Sequence, residues 1–233
     1  TATVFSANKV RAFLCSRDAP TPAVALELIS RGADGGVYFT ASHNPPEYNG
    51  VKLFTSEGHK LSDEEEEAIE ALLDAPAHGR GSVEIAEDAA AGYVAHILDH
   101  FGSDLTGLRI AVDCANGAFS AIAPAVLERL GAHVTTLAAA PDGMNINVGC
   151  GALHPEVAGA AVVELGADAG VSHDGDADRA LFVDATGAPI DGDQILAACA
   201  IAMKEAGALP SDAVVTTVMA NLGFHRAMRD AGI

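Results

Sequence analysis

The feature that most constrains the fold of this chain is a regular alternation of strand-like and helix-like runs. Between residues 108 and 174, LRIAVDC and HVTTLAA predict strands, AIAPAVLERLGA and EVAGAAVVELGA predict helices, and DAGVSHD predicts a third strand. Strands separated by helices favour largely parallel sheets with helices on their faces. The sequence therefore predicts an α/β protein.

The same alternation continues on both sides of that region. VYFT at 37–40 predicts a strand, PTPAVALELI predicts a helix entered through proline, and Ser62 has the spacing of a capping box before AIEALLDA. Later, the helices QILAACAIAMKEAG and LGFHRAMRDAG enclose AVVTTV at 213–218, which predicts a strand. Residues 75–86 mix proline, glycine and charge, which is typical of a boundary. These patterns predict three units, at residues 1–86, 87–191 and 192–233.

Composition argues against several classes of function. The 32 acidic residues outnumber the 13 basic ones, and the net charge of −19 disfavours a general affinity for nucleic acid or anionic membranes. No run approaches the roughly 18 apolar residues of a membrane span, and the first residues do not resemble a signal peptide. Four widely spaced cysteines without a CxxC pattern predict buried free thiols rather than a zinc site. We expect a cytoplasmic protein.

The segment TASHNPPEYNG, residues 40–50, places a serine on a loop directly after a β-rich run. Its prolines, asparagines and glycine favour turns, so Ser42 is expected just beyond the carboxyl end of a strand. In open α/β sheets, ligands bind at that end of the strands. A loop serine alone is more often an ordinary residue than a nucleophile, so its interpretation depends on the rest of the chain.

A second loop, SHDGDADR at residues 172–179, carries three alternating aspartates. The carboxylates of Asp174, Asp176 and Asp178 repel one another unless a divalent cation neutralises them, and ligation by oxygen alone indicates Mg²⁺ or Ca²⁺. The alternative is a solvated acidic turn. An EF-hand fails because Arg179 stands where that loop needs glycine. The DxDx(T/V) pattern of haloacid dehalogenase phosphatases is a weak match because Asp178 replaces threonine or valine.

Arg179, next to the carboxylates, suggests a purpose for the second loop. A metal ion together with a guanidinium makes a strong site for a phosphoryl group. Ser42 and a divalent-ion site could then form a phosphoryl carrier, because the cation offsets charge on the transferring group and amides of the turn hold its oxygens. This hypothesis requires the two loops to meet at one shared ion.

At these residues the sequence resembles the α-D-phosphohexomutase family, which includes phosphoglucomutases and phosphomannomutases. The resemblance covers essentially the whole chain and rests on five segments: PTPAV at 20–24, TASHNP at 40–45, NGVKLF at 49–54, DGDADR at 174–179 and DGDQI at 191–195. Four more segments, DCANGAFSAIAP, PDGMNIN, CGALHPE and TVMANLGF, resemble the branch of the family that acts on glucosamine phosphates.

The resemblance implies tandem three-layer α/β/α domains with mixed, largely parallel sheets, and a mutase activity on hexose phosphates. Phosphorylated Ser42 would donate its phosphoryl group to a hexose monophosphate and would recover one from the resulting sugar 1,6-bisphosphate. The net reaction would convert glucosamine 6-phosphate to glucosamine 1-phosphate for cell-wall amino-sugar nucleotides. A phosphomannomutase or phosphoglucomutase activity is the alternative within the family.

The resemblance also implies roles for individual residues. The ligands of one Mg²⁺ would be an oxygen of phosphorylated Ser42, Asp174, Asp176 and Asp178. His43 and Asn44 would shape the serine loop, Arg179 would contact phosphate, and Lys52 would transfer a proton to or from the sugar hydroxyl. Lys52 could instead be a surface lysine of a strand, and His43 a structural loop residue.

Other polar residues fit local structure at least as well as function. Asn145 and Asn147, in PDGMNIN, suit turn chemistry as well as sugar contacts. Asp191 and Asp193 most simply cap the helix that starts near Gln194.

The chain also departs from the family pattern. Family members have four domains around one cleft, and this sequence lacks the start of the first domain, most of the third with its sugar loop, and the whole fourth with its phosphate clamp. We therefore expect a fragment that binds a small phosphosugar, is poorly active as a mutase and could form a homodimer. Two other classes stay open: a metal-dependent phosphatase, with water as the acceptor, and an inactive phosphate-binding fragment.

Overall fold

The structure, a computed structural model, describes residues 10–15, 18–74, 76, 79, 81–86 and 89–233. Its strands are β1 Arg11–Cys15, β2 Gly35–Thr40, β3 Gly50–Thr55, β4 Ser82–Ala86, β5 Arg109–Asp113, β6 His133–Leu137, β7 Ala169–His173, β8 Ala180–Val183 and β9 Pro189–Ile190. Its α-helices are α1 Thr21–Arg31, α2 Asp63–Glu70, α3 Ala89–Phe101, α4 Ile122–Arg129, α5 Pro155–Leu165, α6 Gly192–Glu205 and α7 Leu222–Ala231. The predicted α/β class is confirmed.

The largest sheet lies in the middle of the chain and has the strand order β6-β5-β7-β8-β9. β5 pairs in parallel with β6 and β7, while β8 and β9 join the sheet in antiparallel pairs. Alternate residues of β5 point to opposite faces, so Ala111 packs in a cluster with Ala158 and Val162 of α5, and Val112 packs in a second cluster with Ala123 of α4. Helices on both faces give three layers.

The first part of the chain contains two smaller sheets. β2 and β3 form an antiparallel ribbon, and β1 pairs in parallel with β4. The segment at residues 75–86, predicted as a boundary, thus contains a strand at Ser82–Ala86, while residues 75, 77, 78 and 80 lie outside the described part. α1 starts directly after Pro20, as predicted, and α2 has the predicted capping box, formed by Ser62 and Glu65.

The last part of the chain holds α6 and α7 around a small core of Ala200, Phe224 and Met228. Asp191 is the N-cap of α6, as predicted, and it also forms a capping box with Gln194. The predicted capping role of Asp193 is wrong, because its side chain accepts a hydrogen bond from the backbone N–H of Asn221.

The predicted strand at residues 213–218 is wrong. The segment is irregular, and Val215 and Val218 are almost fully exposed. A strand needs a neighbour that satisfies its backbone groups, and no described strand lies beside this segment.

Two further observations concern composition. In the described part of the chain, no helix is both long enough and apolar enough to cross a bilayer. The four cysteines are free thiols, as expected, but only Cys114 and Cys150 are buried, and Cys199 is exposed.

Candidate functional site

The loop between β7 and β8 brings the three aspartates to one point. One carboxylate oxygen from each of Asp174, Asp176 and Asp178 lies within 4.8 Å of the others. Ala177 adopts a left-handed conformation (φ 55°), which turns the chain sharply between the second and third aspartates. Asp174 and Asp176 are completely buried, whereas Asp178 is exposed. The predicted clustering of these side chains is therefore present in the structure.

Two oxygens of this cluster have no hydrogen-bond partner. Oδ1 of Asp174 accepts a hydrogen bond from the backbone N–H of Arg179 at 3.0 Å, and Oδ2 of Asp176 accepts one from the hydroxyl of Thr21 at 2.7 Å. Their other oxygens, Asp174 Oδ2 and Asp176 Oδ1, are buried without a partner. Buried carboxylate oxygens require a donor or a cation, so this set of hard oxygen ligands fits a divalent ion such as Mg²⁺.

The charges of the cluster act on one another. Burial, together with the neighbouring charges of Asp176 and Asp178, raises the pKa of Asp174 to about 6. Burial also works against ionisation of Asp176, but hydrogen bonds from Lys52 and Thr21 outweigh it, and the pKa of Asp176 is lowered. Asp176 is therefore held in its charged form more firmly than Asp174.

Lys52 reaches this cluster from β3. Its Nζ donates a hydrogen bond to Asp176 and a second, at 3.3 Å, to Asp178. Burial tends to lower the pKa of Lys52, but the hydrogen bond and charge of Asp176, supported by Asp178, raise it above its ordinary value. The lysine is thus a cation that faces the aspartates, and the reading of Lys52 as a surface residue of the strand is wrong.

The serine loop follows β2 and lies directly against the aspartate loop. The carbonyl oxygen of Ser42 accepts hydrogen bonds from the backbone N–H of Gly175 at 3.1 Å and from Nδ2 of Asn147 at 2.7 Å. The side chain of Ser42 also helps to lower the pKa of Asp176. Two loops that are more than 130 residues apart in sequence, around Ser42 and Asp176, therefore meet at one site.

Ser42 has an unusual backbone conformation, with φ 53° in the left-handed region. Its backbone N–H donates to the hydroxyl of Thr40 at 2.8 Å, and the N–H of Asn44 donates to the carbonyl of Ala41 at 2.9 Å. These bonds close a tight turn at the carboxyl end of β2, as the sequence predicts.

The remaining predicted residues lie around this turn. Nδ1 of His43 is buried without a hydrogen-bond partner, and Asn44 is exposed, with its carbonyl accepting from Asn147 at 2.9 Å. The guanidinium of Arg179 is 53% exposed and lies 3.9 Å from Asp178. Arg179 thus contacts Asp174 through its backbone N–H and Asp178 through a long ion pair, and about half of its side chain is exposed.

Three residues that support the site did not stand out in the sequence. Thr21, at the start of α1, binds Asp176 through both its hydroxyl and its backbone N–H. Asn147 donates hydrogen bonds to the serine loop, whereas its sequence context suited a turn residue as well as a sugar contact. Asp113, at the carboxyl end of β5, is fully buried and accepts hydrogen bonds from the N–H groups of Ala115 at 2.9 Å and Gly151 at 2.7 Å. The sequence could have indicated Asp113, because this acidic residue ends a predicted parallel strand, where ligands bind in open α/β sheets.

The loops at this edge of the sheet pack backbone against backbone. The N–H of Ala118 donates to the carbonyl of Gly175 at 2.8 Å. A Cβ atom added at Gly117 would lie 2.3 Å from that carbonyl oxygen, which no real structure allows. Glycine is therefore required at Gly117 for the close approach of the two loops.

The fold and site define a class: α/β proteins in which a loop serine faces a cluster of carboxylates able to hold a divalent ion. Models of the phosphoglucomutase/phosphomannomutase family match nearly the whole chain: alpha/beta/alpha domain I matches residues 1–79, domain II residues 91–187 and domain III residues 191–233. The chain belongs to this family.

Within the family, the chain is similar to proteins named phosphoglucosamine mutase. It is 52% identical to the one from Rhodococcus erythropolis over 221 residues, which cover 92% of this chain and 50% of the relative. It is 49% identical to the one from Symbiobacterium thermophilum, with coverage of 91% and 49%. The chain thus spans about half the length of the curated relatives it matches.

Solved structures agree with the fold. A phosphoglucomutase/phosphomannomutase family protein from Burkholderia thailandensis has a TM-score of 0.69 at 28% identity and covers 81% of this chain and 43% of its own. An N-acetylphosphoglucosamine mutase from Aspergillus fumigatus in complex with glucose 1,6-bisphosphate has a TM-score of 0.55 at 20% identity, with coverage of 81% and 53%. The second likeness supports the fold alone.

Proposed function

We propose that this site transfers a phosphoryl group between Ser42 and a hexose phosphate, as part of a phosphoglucosamine mutase. The observation that carries the proposal is the contact between the two loops: Ser42 binds Gly175 through its backbone, next to buried oxygens of Asp174 and Asp176 that lack a partner. The similarity to phosphoglucosamine mutases supports glucosamine 6-phosphate and glucosamine 1-phosphate as the substrate pair.

Each step of the reaction moves one phosphoryl group. When the sugar gives its phosphoryl group to the enzyme, the bond between phosphorus and the sugar oxygen breaks and a bond between phosphorus and Oγ of Ser42 forms. The hydroxyl of Ser42 loses its proton, and the sugar oxygen gains one. The exchange in the other direction comes first: phosphorylated Ser42 gives its group to the free hydroxyl of the sugar monophosphate, the bond between phosphorus and Oγ breaks, and Oγ regains a proton while the sugar hydroxyl loses one. The bisphosphate formed in this way then returns its other phosphoryl group to Ser42, which leaves the isomer.

The protein's residues divide this work. Asp174, Asp176 and Asp178 would hold Mg²⁺, which when bound would offset the negative charge of the transferring group. Lys52 is a cation in contact with Asp176, and as a proton donor it would supply the proton that the departing sugar oxygen gains. Arg179, with its exposed guanidinium at the edge of the cluster, would contact a phosphate of the substrate.

The serine loop keeps the nucleophile in place. His43 and Asn44 belong to the turn after β2, and the buried Nδ1 of His43 would find its partner in the loaded site. Because the backbone of Ser42 is fixed by hydrogen bonds on both of its sides, its hydroxyl has a restricted range of directions. A fixed backbone lowers the entropic cost of aligning the hydroxyl for an in-line transfer.

The test is transfer of label from a sugar bisphosphate. The chain is incubated with Mg²⁺ and ³²P-labelled glucose 1,6-bisphosphate, and the labelled residue is identified by mass spectrometry. We expect label on Ser42, none in Ser42→Ala, and unchanged labelling in Ser56→Ala, which removes an exposed hydroxyl from a different loop. Labelling of Ser42→Ala at the wild-type level would refute the proposal.

The same incubation separates a mutase from a phosphatase. With glucosamine 6-phosphate also present, a mutase returns the phosphoryl group to a sugar, so glucosamine 1-phosphate should form and inorganic phosphate should stay near the level without enzyme. Stoichiometric release of inorganic phosphate without isomerisation would instead identify water as the acceptor.

A further inference from the structure

The serine loop is held from outside by one side chain, Asn147. Its Nδ2 donates to the carbonyl oxygen of Ser42 at 2.7 Å and to that of Asn44 at 2.9 Å. A single amide group thus bridges the two carbonyls on either side of His43. In the described part of the chain, no other side chain from outside the turn donates a hydrogen bond to these two carbonyls.

Asn147 itself is fixed in place. It is 8% exposed, it has φ 58° in the left-handed region, and its backbone N–H donates to the carbonyl of Ala115 at 2.9 Å. Ala115 in turn donates its N–H to the buried carboxylate of Asp113. A continuous series of hydrogen bonds therefore runs from the end of β5 through Asn147 to the carbonyl of Ser42.

The chemistry of the position favours asparagine. Of the residues other than glycine, asparagine and aspartate adopt a left-handed backbone most readily, and of these two only asparagine carries an NH₂ group with two donors. Glycine would adopt the backbone conformation of Asn147 but would leave both carbonyls without this donor. Two carbonyl dipoles that converge on one point repel each other when no donor lies between them.

We propose that Asn147 is a positioning residue for the nucleophile: its side-chain amide sets the conformation of the turn and thereby the direction of the Ser42 hydroxyl. The inference rests on the proposed transfer of a phosphoryl group to Ser42. Asn147 does not touch the reacting atoms, and it acts through the backbone of the turn.

Two variants of the chain remove the donors in different ways. Asn147→Asp keeps the size and the left-handed tolerance of the side chain, and Asn147→Gly keeps the backbone conformation without introducing a charge. Asn145→Asp is the matched control, because Nδ2 of Asn145 binds Ala140 within its own loop and does not reach the serine turn.

The first measurement is the rate of label incorporation from glucose 1,6-bisphosphate. We expect Asn147→Asp and Asn147→Gly to lower the maximal rate about 10- to 100-fold, because a small displacement of a reacting group has effects of this size. The concentration of bisphosphate at half-maximal rate and the affinity for Mg²⁺, measured by calorimetry, should stay within about threefold of wild type. Asn145→Asp should label at the wild-type rate.

The second measurement does not depend on phosphoryl transfer. Amide hydrogen exchange of Ser42 and Asn44 reports the two hydrogen bonds inside the turn, and it should be faster in both Asn147 variants and unchanged in Asn145→Asp. If the wild-type chain takes no label, the proposed function fails, and exchange alone decides whether Asn147 orders the turn.

Three results would overturn the inference. Equal exchange in wild type and both variants would show that the turn does not need the amide. A slow rate in Asn147→Asp but a normal rate in Asn147→Gly would show that only the added charge matters. If the Asn147 variants lost Mg²⁺ affinity and labelling to the same extent, Asn147 would stabilise the metal site and not the turn.

Discussion

The aspartate loop and the serine loop meet at one site, but they are held in different ways. The aspartate loop follows buried β7 in a five-stranded sheet, and Asp174 and Asp176 are completely buried. The serine loop follows β2 in a two-stranded ribbon, where Phe39 is 50% exposed and Val51 is 55% exposed. Its backbone is fixed mainly by Gly175 and Asn147, which belong to the other region.

The two halves of the site therefore depend on different parts of the molecule. The proposed metal ligands rely on the core of the larger sheet, so their arrangement should survive changes in the serine loop. The proposed nucleophile relies on contacts between the regions, so its position should be sensitive to changes on either side.

The largest effect is expected at Asp176, where the two regions meet. Asp176→Asn removes a buried carboxylate that is a proposed metal ligand, and it places an amide opposite Lys52 and the hydroxyl of Thr21. Labelling of Ser42 should therefore fall about 10³-fold or more. Asp99→Asn, a change at an exposed position of α3, is the control and should leave labelling unchanged. If Asp176→Asn labelled at a rate within tenfold of wild type, the shared site would be excluded.

The next effect is expected at Gly175. A Cβ atom there would lie 2.5 Å from the carbonyl oxygen of Ser42 and 2.5 Å from a side-chain carbon of Ile146. Gly175→Ala should therefore push the loops apart and lower the free energy of unfolding by about 2–3 kcal/mol, with loss of labelling. Gly192→Ala, where a Cβ meets nothing within 4 Å, should be neutral in urea denaturation. Equal stability of both variants would mean that the contact between the loops is not tight.

A pH-dependent effect is expected from His173, at the base of the aspartate loop. Burial lowers the pKa of His173 to about 4, and its ring packs edge-on against Phe119 at 4.9 Å. The unfolded chain binds this proton below about pH 6.5, and the folded chain binds it only near pH 4, so stability is lost as the pH falls through that window.

The comparison with His173→Gln isolates this contribution. Between pH 7.5 and pH 4.5, without divalent ions, wild type should lose about 2 kcal/mol of unfolding free energy relative to the variant. The raised pKa of Asp174 works in the opposite direction, but both proteins carry that group, so it cancels in the difference. If the unfolding free energies of the two proteins changed in parallel with pH, the pKa of His173 would not be lowered by folding, and the prediction would be wrong.

The smallest effect is expected at Thr21, which reaches Asp176 from α1. Thr21→Val removes the hydroxyl that donates to the carboxylate at 2.7 Å and keeps the shape of the side chain. Loss of one such hydrogen bond costs about 1 kcal/mol, so the affinity for Mg²⁺ should fall about fivefold. Thr21→Ser, which keeps the hydroxyl, should restore the affinity, and calorimetry checks both. A wild-type affinity in Thr21→Val would remove Thr21 from the support of the site.

Local features of the fold could be predicted from the sequence. Four local features were predicted: the capping box at Ser62, the N-cap at Asp191, the helix after Pro20 and the turn after β2. Each depends on neighbouring residues, so its signal lies within a few positions of the sequence. The strand predicted at residues 213–218 failed because its formation depends on a partner and not on its own composition.

The candidate site could be predicted only in part. The spacing of Asp174, Asp176 and Asp178 indicated a cation, because the three carboxylates are close in sequence. The contacts of Thr21 with Asp176 and of Asn147 with Ser42 span more than 100 residues, and no local pattern encodes which donor will meet which acceptor. The exposure of the Arg179 side chain likewise depends on the surrounding surface, which the local sequence does not encode.

The left-handed backbone of Ser42 limits which residue could serve there as the proposed phosphoryl carrier. At φ 53°, a β-branched side chain meets its own backbone, and threonine at this position would cost about 1–3 kcal/mol in strain. Threonine has a hydroxyl of similar reactivity, so the obstacle is conformational and not chemical. The turn therefore selects a primary alcohol and blocks a substitution between the two aliphatic hydroxyl residues that would otherwise be conservative.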